Sequence, residues 1–241
     1  MNDVARPMVF PSSLWPQSSL LARLTEPDRQ ELLSVGTRAV FPSQHVLIRQ
    51  GAHEDYAVLL TKGLAKVVVD TENGHEALLA IRVGGDLVGE MASLERKPRA
   101  ATVISCVKTS ARLIPADLFA AFLKRHPHAL YEVTRMLSER LRFADEQRVA
   151  FAALTAAARV ARILVEVAHT YGRCVGGDQW DLGLSLSRPE VASFAGVGLS
   201  SAEKSLRRLR DLGVIAQRDR RILITDMPGL RGSAAGFAQN P

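Results

Sequence analysis

A change of texture at Pro115 constrains this chain more than any other feature. From Ala39 to Ile114, short apolar runs ("HVLIRQ", "YAVLLTKG", "LAKVVVD", "EALLAIRVGG", "ATVISCV") alternate with turns at Gly51, Gly63, Asn73-Gly74 and Gly84-Gly85. Many short strands with regular turn signals predict a β-sandwich or roll. Asn73-Gly74 is the sharpest hairpin signal, because both residues tolerate positive φ. Beyond Pro115 the pattern is helical. Ahead of the strands, residues 1–18 read as a loose leader. A helix opens near Thr25, with Pro27 in its first turn and Asp28 placed to serve its N-terminus electrostatically.

In the helical half, "PADLFAAFLKRH" is a short helix and residues 128–150 a longer one. Along the longer helix Leu130, Val133, Leu137, Leu141 and Ala144 recur three or four apart, a narrow apolar seam. Such a seam packs on its own domain or on a twin helix. Thr155 caps the next helix, which stops at Gly172. A polar connection, "RCVGGDQWDLG", leads to two short helices joined by a tight turn at Gly196 to Gly198. Ser187 with Glu190 forms a capping box for the first, with Pro189 early inside it; Ser200 with Glu203 predicts a second box. "VIAQRDRRILITD" then alternates into a two-stranded wing. Two helices, a tight turn and a wing describe a winged helix-turn-helix.

The 241 residues carry a formal charge of +6, which suits a polyanionic partner. The cations are grouped: Lys204, Arg207, Arg208 and Arg210 on the second helix, Arg218, Arg220 and Arg221 at the wing. There they can neutralise phosphates on both sides of a major groove. Cys106, placed in a strand, and Cys174, after a helix, are too few and too far apart for a disulfide framework, a thiolate metal site or an iron–sulfur cluster. His126-Pro127-His128 at a helix start reads as a turn rather than a metal site, and the other histidines are scattered. No nucleophile–base–orienter set emerges, so no enzyme is expected. The N-terminus lacks a signal-peptide pattern and no apolar run approaches ~20 residues. A cytoplasmic protein with no membrane partner is expected.

"GEMASLERKPRAATV", residues 89–103, holds Glu90 and Arg99 at the two ends of a short loop. A carboxylate can accept from a ribose hydroxyl, and a guanidinium pairs a phosphate in a fork. Alanines beside the arginine let backbone N–H groups approach an anion. A surface Glu–Arg pair on a hairpin, worth little, explains the same residues. Chemistry alone leaves the two readings even.

The stretch closely resembles the phosphate-binding cassette of cyclic-nucleotide-binding domains, roughly G-E-x-A, a variable loop, then P-R-A-A-T-V. Over about residues 20–228 the order of β-roll, long helix and winged helix resembles the catabolite-activator/FNR-type family of bacterial transcription regulators. The resemblance implies Glu90 on a ribose 2′-hydroxyl and Arg99 on a cyclic phosphate. Gly89 and Ala100 would supply backbone contacts, with Met91 beside them. In the cAMP-responsive members a threonine and a serine on the long helix meet adenine. Ungapped alignment on "ERL" puts Ala144 and Asp145 there. The family's base-reading Arg-Glu-Arg set falls on Leu199, Ser200 and Lys204, so the family's usual half-site is not the expected target. Ala100, in place of a hydroxyl residue, resembles cAMP-preferring sites.

The expected architecture is α+β, divided as follows: leader 1–18, cyclic-nucleotide-binding β-roll 19–127, dimerisation helix and hinge 128–153, winged helix-turn-helix 154–228, and flexible tail 229–241. The expected protein is a homodimeric, ligand-responsive, DNA-binding transcription regulator whose effector is a cyclic nucleotide, cAMP first, with no other cofactor. Its expected DNA contacts are Ser187, Leu199, Ser200, Ser201, Lys204, Arg207, Arg208, Arg218 and Arg220. RNA polymerase is a further expected partner. The rivals are the same clamp sensing a cyclic dinucleotide or a lipid, and a ligand-independent DNA-binding protein with a vestigial pocket.

Overall fold

A computed structural model describes residues 15–71, 74, 76–218 and 221–236. The first part of the leader, Asn73 of the hairpin signal, Arg220 at the wing tip, the side chain of Arg218 and the last five residues of the tail lie outside the described residues. The chain divides into two compact units, Met1–Arg140 and Leu141–Pro241.

The first unit opens with α1 (Leu20–Arg23) and α2 (Glu26–Ser34). Strands β1 (Thr37–Phe41), β2 (Val46–Ile48), β3 (Tyr56–Lys62), β4 (Leu64–Asp70), β5 (Glu76–Val83) and β6 (Leu87–Val88) follow. After α3 (Glu90–Glu95) come β7 (Thr102–Ser105), β8 (Thr109–Pro115) and α4 (Ala116–Arg125). Two four-stranded antiparallel sheets, ordered β1-β8-β3-β6 and β2-β7-β4-β5, make the expected roll. β3 is buried along most of its length, Ala57 to Leu60, and so reads as an unbroken apolar run. The β4–β5 hairpin pairs Asp70 with Glu76, the two residues that flank the Asn73-Gly74 signal in sequence.

Helices close one side of the roll. Phe119 and Phe122 of α4 join Leu20, Leu21 and Leu32 in a core with Leu59, Leu87 and Ile114 of the strands. The end of the expected leader takes part: Trp15 packs against this core, and its indole N–H donates to the Thr61 carbonyl at 3.0 Å. The helix opens at Thr25 as expected, and Thr25 caps it by accepting from the Asp28 N–H. Asp28 does more than serve the helix terminus: it is buried and receives His126 Nδ1 at 2.7 Å. Burial raises its carboxyl, but hydrogen bonds from His126 and Thr25 and the nearby imidazoles outweigh that and hold it below the usual carboxylate range. His126 Nε2 lies 2.9 Å from Glu31 and His128 Nδ1 lies 3.4 Å from Asp28, so the His-Pro-His segment at the helix start sets its imidazoles against carboxylates. Arg112, buried in β8, donates to the carbonyls of Ser34, Val35 and Gly36 at 2.6 Å each, satisfying the frayed end of α2.

One helix, α5 (Pro127–Ala153), runs from the first unit into the second. The expected apolar seam splits across it. Val133 and Leu137, with Ala129 and Met136, face the first unit's core, whereas Leu130, Leu141 and Ala144 are exposed.

The second unit continues with α6 (Ala156–Tyr171), β9 (Arg173–Gly176), β10 (Gln179–Ser185), α7 (Arg188–Phe194) and α8 (Leu199–Asp211). It ends with β11 (Ile215–Arg218), β12 (Arg221–Ile224) and α9 (Met227–Ala234). Thr155 caps α6 as the sequence indicates, and Gly172 ends it. The segment taken as a polar connection forms a hairpin, β9–β10, which extends the wing to a four-stranded sheet ordered β11-β12-β10-β9. Where a loose tail is expected from residue 229, α9 forms instead, capped by Asp226, with Leu230 fully buried. Cys106 follows β7 rather than lying in it, and Cys174 is exposed on β9.

Candidate functional site

The cassette is built on a glycine. Gly89 caps α3 with φ 74°, a left-handed conformation open to glycine, and a Cβ there would lie 2.7 Å from both Arg99 Nη1 and Ile48 Cδ1. The expected loop between Glu90 and Arg99 therefore begins as a helix, and the chain leaves it through Arg96 at φ 54°. This geometry brings Arg99 back beside Gly89. Arg99 Nη1 donates to the Gly89 carbonyl at 2.8 Å and Nη2 to the Tyr56 carbonyl at 2.5 Å. The guanidinium also lies over the Tyr56 ring, 4.8 Å from its centroid. Gly51 N donates to the Arg99 carbonyl, and Arg99 N donates to that of Ala52, tying the segment to the loop after β2.

Glu90 and Arg99 are each 2 % exposed, so neither belongs to a solvated surface pair. Glu90 meets a residue the sequence did not single out: Arg140 of α5 donates from Nη1 to Glu90 Oε1 at 2.6 Å and from Nη2 to the Leu87 carbonyl. Burial lowers the Arg140 pKa, helped by Arg82, while Glu90 and Asp86 oppose it. Burial raises Asp86, against the pull of Arg82, Arg140 and Arg23. The cassette thus sits on a buried, alternating charge network. Tyr56 is pushed up by burial and Glu54, with Arg99 acting against them. Arg99 Nε is buried without a partner among the described residues, so a donor faces inward with its hydrogen bond unmade. Met91 and Ala100 flank the pair and are exposed.

In the second unit the Ser187 hydroxyl accepts from Glu190 N, while Glu190 Oε2 accepts from Ser187 N at 2.7 Å. This commits Ser187 first to its cap. The turn to α8 passes through Gly196 at φ 61°, whose carbonyl accepts from Arg159 Nη1 at 2.8 Å. The second capping box does not form. α8 begins two residues earlier than that box requires, with Gly198 at its N-cap, so Ser200 is already inside the helix and Glu203 pairs with Arg188. Ala202, Leu206 and Leu209 hold α8 in the core, leaving Leu199, Ser200, Lys204, Arg207 and Arg208 exposed and Ser201 half-buried.

Residues 38–126 match the model of the cyclic nucleotide-binding domain, and residues 158–232 match that of the Crp-like helix-turn-helix domain. The chain belongs to the Crp/FNR family of transcription regulators. A CRP-like cAMP-activated global transcriptional regulator of Mycobacterium tuberculosis is 24 % identical over 77 % of this chain and 83 % of that one. An anaerobic regulatory protein of Haemophilus influenzae is 23 % identical over 77 % and 71 %. Among solved structures, FixK2 from Bradyrhizobium japonicum covers 85 % of this chain and all of its own, with TM-score 0.69 and 19 % identity. The c-di-GMP responsive global regulator CLP of Xanthomonas campestris covers 83 % and 99 %, with TM-score 0.70 and 20 % identity. These structures share the fold.

As a Crp/FNR-family member, the chain is a DNA-binding transcription regulator with a cyclic-nucleotide-binding domain; the family is one of regulators, not enzymes. Of the expected contacts, Gly89, Glu90 and Arg99 come together in the first unit. Ala144 and Asp145 are exposed in the second unit, where Asp145 lies 3.6 Å from Arg148. Among the described residues no helix is long and apolar enough to cross a membrane, and no group of three or more His, Cys, Asp or Glu is placed to hold a metal.

Proposed function

We propose that the cassette binds a cyclic nucleotide, cAMP ahead of cGMP, and that the regulator acts on DNA as a homodimer in the cytoplasm. The observation that carries this reading is Arg99: a buried fork tied to the Gly89 carbonyl, with its Nε donor unpaired, beside the buried carboxylate of Glu90. A cyclic phosphate would meet Arg99, and a ribose 2′-hydroxyl would meet Glu90, whose charge Arg140 holds in place. Gly89 and Ala100 supply backbone contacts beside Met91. Ala100 offers no hydroxyl to a guanine 2-amino group, which favours adenine. Large apolar side chains exposed along α5 (Leu130, Tyr131, Leu141, Val149 and Phe151) support pairing through that helix. Effector binding shifts DNA affinity only so far as it binds one of two arrangements better. Ser187, Leu199, Ser200, Ser201, Lys204, Arg207, Arg208, Arg218 and Arg220 serve the DNA, Lys204 and Ser200 at base edges and most arginines at phosphates.

A second reading has its own observation. Glu90 already has Arg140 as its counter-cation, and both terminal nitrogens of Arg99 already donate to carbonyls, which leaves only Nε of that guanidinium without a partner among the described residues. That arrangement suits DNA binding without an effector. Calorimetry on the full chain with cAMP, cGMP and cyclic di-GMP decides. Heat with cAMP, weaker with cGMP, supports the first reading; heat with the dinucleotide alone reassigns the effector; no heat with any of them supports the second.

A further inference from the structure

Among the cations of the recognition helix stands an acid, Glu203, that neither a cap nor the core accounts for. Within α8, Ser200, Glu203 and Arg207 follow one another at spacings of three and four, and so share a face, with Lys204 next to it. A carboxylate among Lys204, Arg207 and Arg208 would be repelled by any phosphate it approached. Its partner is Arg188, the first residue of α7, at 3.2 Å; the two side chains are 57 % and 40 % exposed, Arg188 first. An exposed pair of this kind adds little to stability, so the fold does not explain why the acid is there. Both residues line an open cleft of about 280 Å³ that Leu199 and Gln217 also border.

We infer that Glu203 reads a base edge and selects cytosine in the half-site, with Arg188 as its counter-cation until DNA is bound. The inference rests on α8 entering the major groove. A carboxylate has only acceptors. Guanine presents two acceptors and thymine one, so both repel it, and adenine sets an acceptor beside its amine. Cytosine alone presents a lone N4 amine donor. Arg188 neutralises Glu203 in the free regulator and is freed for a phosphate when the cytosine amine takes its place. Glu203 is thus a specificity residue that works by rejection as much as by attraction.

The test is selection from random duplex DNA with the full chain, with and without cAMP, for wild type, Glu203→Gln, Glu203→Ala and Arg188→Gln. Wild type is expected to enrich a cytosine at one position of each half-site. Glu203→Ala loses that preference by roughly tenfold while other positions hold. Glu203→Gln moves it from cytosine to adenine, since an amide pairs with adenine N6 and N7. Arg188→Gln leaves the motif unchanged and lowers the salt slope by about one ion. A wild-type motif without the cytosine overturns the inference, as does a motif unchanged in both Glu203 variants or a uniform gain in affinity on removing the acid. A wild-type chain that enriches nothing overturns the groove reading and the inference together.

Discussion

Arg140 donates to Oε1 of Glu90 at 2.6 Å, placing a cation of α5 on the carboxylate that the cassette presents. The contact joins the long helix to the cassette within the first unit. Any group that binds Glu90 must do so beside this guanidinium.

Removing the cation leaves a buried charge alone. Arg140→Met should destabilise the protein by about 3 kcal/mol in urea unfolding, because Glu90 loses its partner without regaining water. Adding Glu90→Gln to that variant should recover much of the loss. Additive losses in the double variant would show that the two side chains do not act as a pair.

Arg99→Leu should abolish cAMP binding in calorimetry, a loss on the order of 2–5 kcal/mol for a buried charge-assisted contact. It also strands the Gly89 and Tyr56 carbonyls, so a stability loss of roughly 1–3 kcal/mol should accompany it. Glu90→Gln should weaken binding less, since an amide still accepts one hydrogen bond. An unchanged titration for Arg99→Leu would remove the cassette from the binding site.

Gly89→Ala tests the hinge of the cassette without removing a charge. Its φ of 74° and the 2.7 Å approach to Arg99 Nη1 and Ile48 Cδ1 make the methyl costly. A loss of roughly 1–3 kcal/mol in thermal unfolding is expected. cAMP affinity should fall further than stability, since the methyl moves Arg99. Wild-type stability and affinity would mean that the turn opens at no cost.

Lys204→Ala should relax base preference at one position per half-site, costing roughly 1–3 kcal/mol on the preferred site. Arg220→Ala should weaken all sequences alike and lower the salt slope by about one ion. If Lys204→Ala lost affinity uniformly, with its base preferences intact, Lys204 would be a backbone contact.

Asp28 gives the first unit a dependence on acid. Its folded pKa lies below its unfolded one, so its stabilisation is present above the ordinary carboxylate pKa and is lost as the pH falls toward the lowered value. Asp28→Asn should therefore be less stable than wild type at neutral pH. The gap should close as the pH drops below about 4. A gap that stayed constant down to pH 2 would mean that the His126 contact is not electrostatic.

Local signals were legible because their partners lie a few residues away. Ser187 and Glu190 satisfy each other's backbone within one turn, so the box can be read from four letters. Thr155, Gly172 and the apolar runs of β3 and β4 are similar cases. The cassette was legible through its resemblance, since Gly89, Glu90 and Arg99 lie in one stretch, whereas the positive φ of Gly89 and the burial of both charges came from the structure. The apparent box at Ser200 failed because the core positions Ala202, Leu206 and Leu209 hold a helix that already starts at Leu199, which makes Ser200 its second residue rather than its N-cap.

Tertiary structure decided where the charges go. Arg140 reaches Glu90 across 50 residues and Arg112 finds three carbonyls more than 75 residues away, while Arg188 takes the acid that local reading gave to Ser200. α9 forms because Leu230 is fully buried, a gain invisible in "MPGLRGSA" alone. Backbone hydrogen bonds within a turn are fixed by neighbours in the chain. A buried ion takes whichever countercharge packing brings within reach, because leaving it unpaired costs more than any local preference returns.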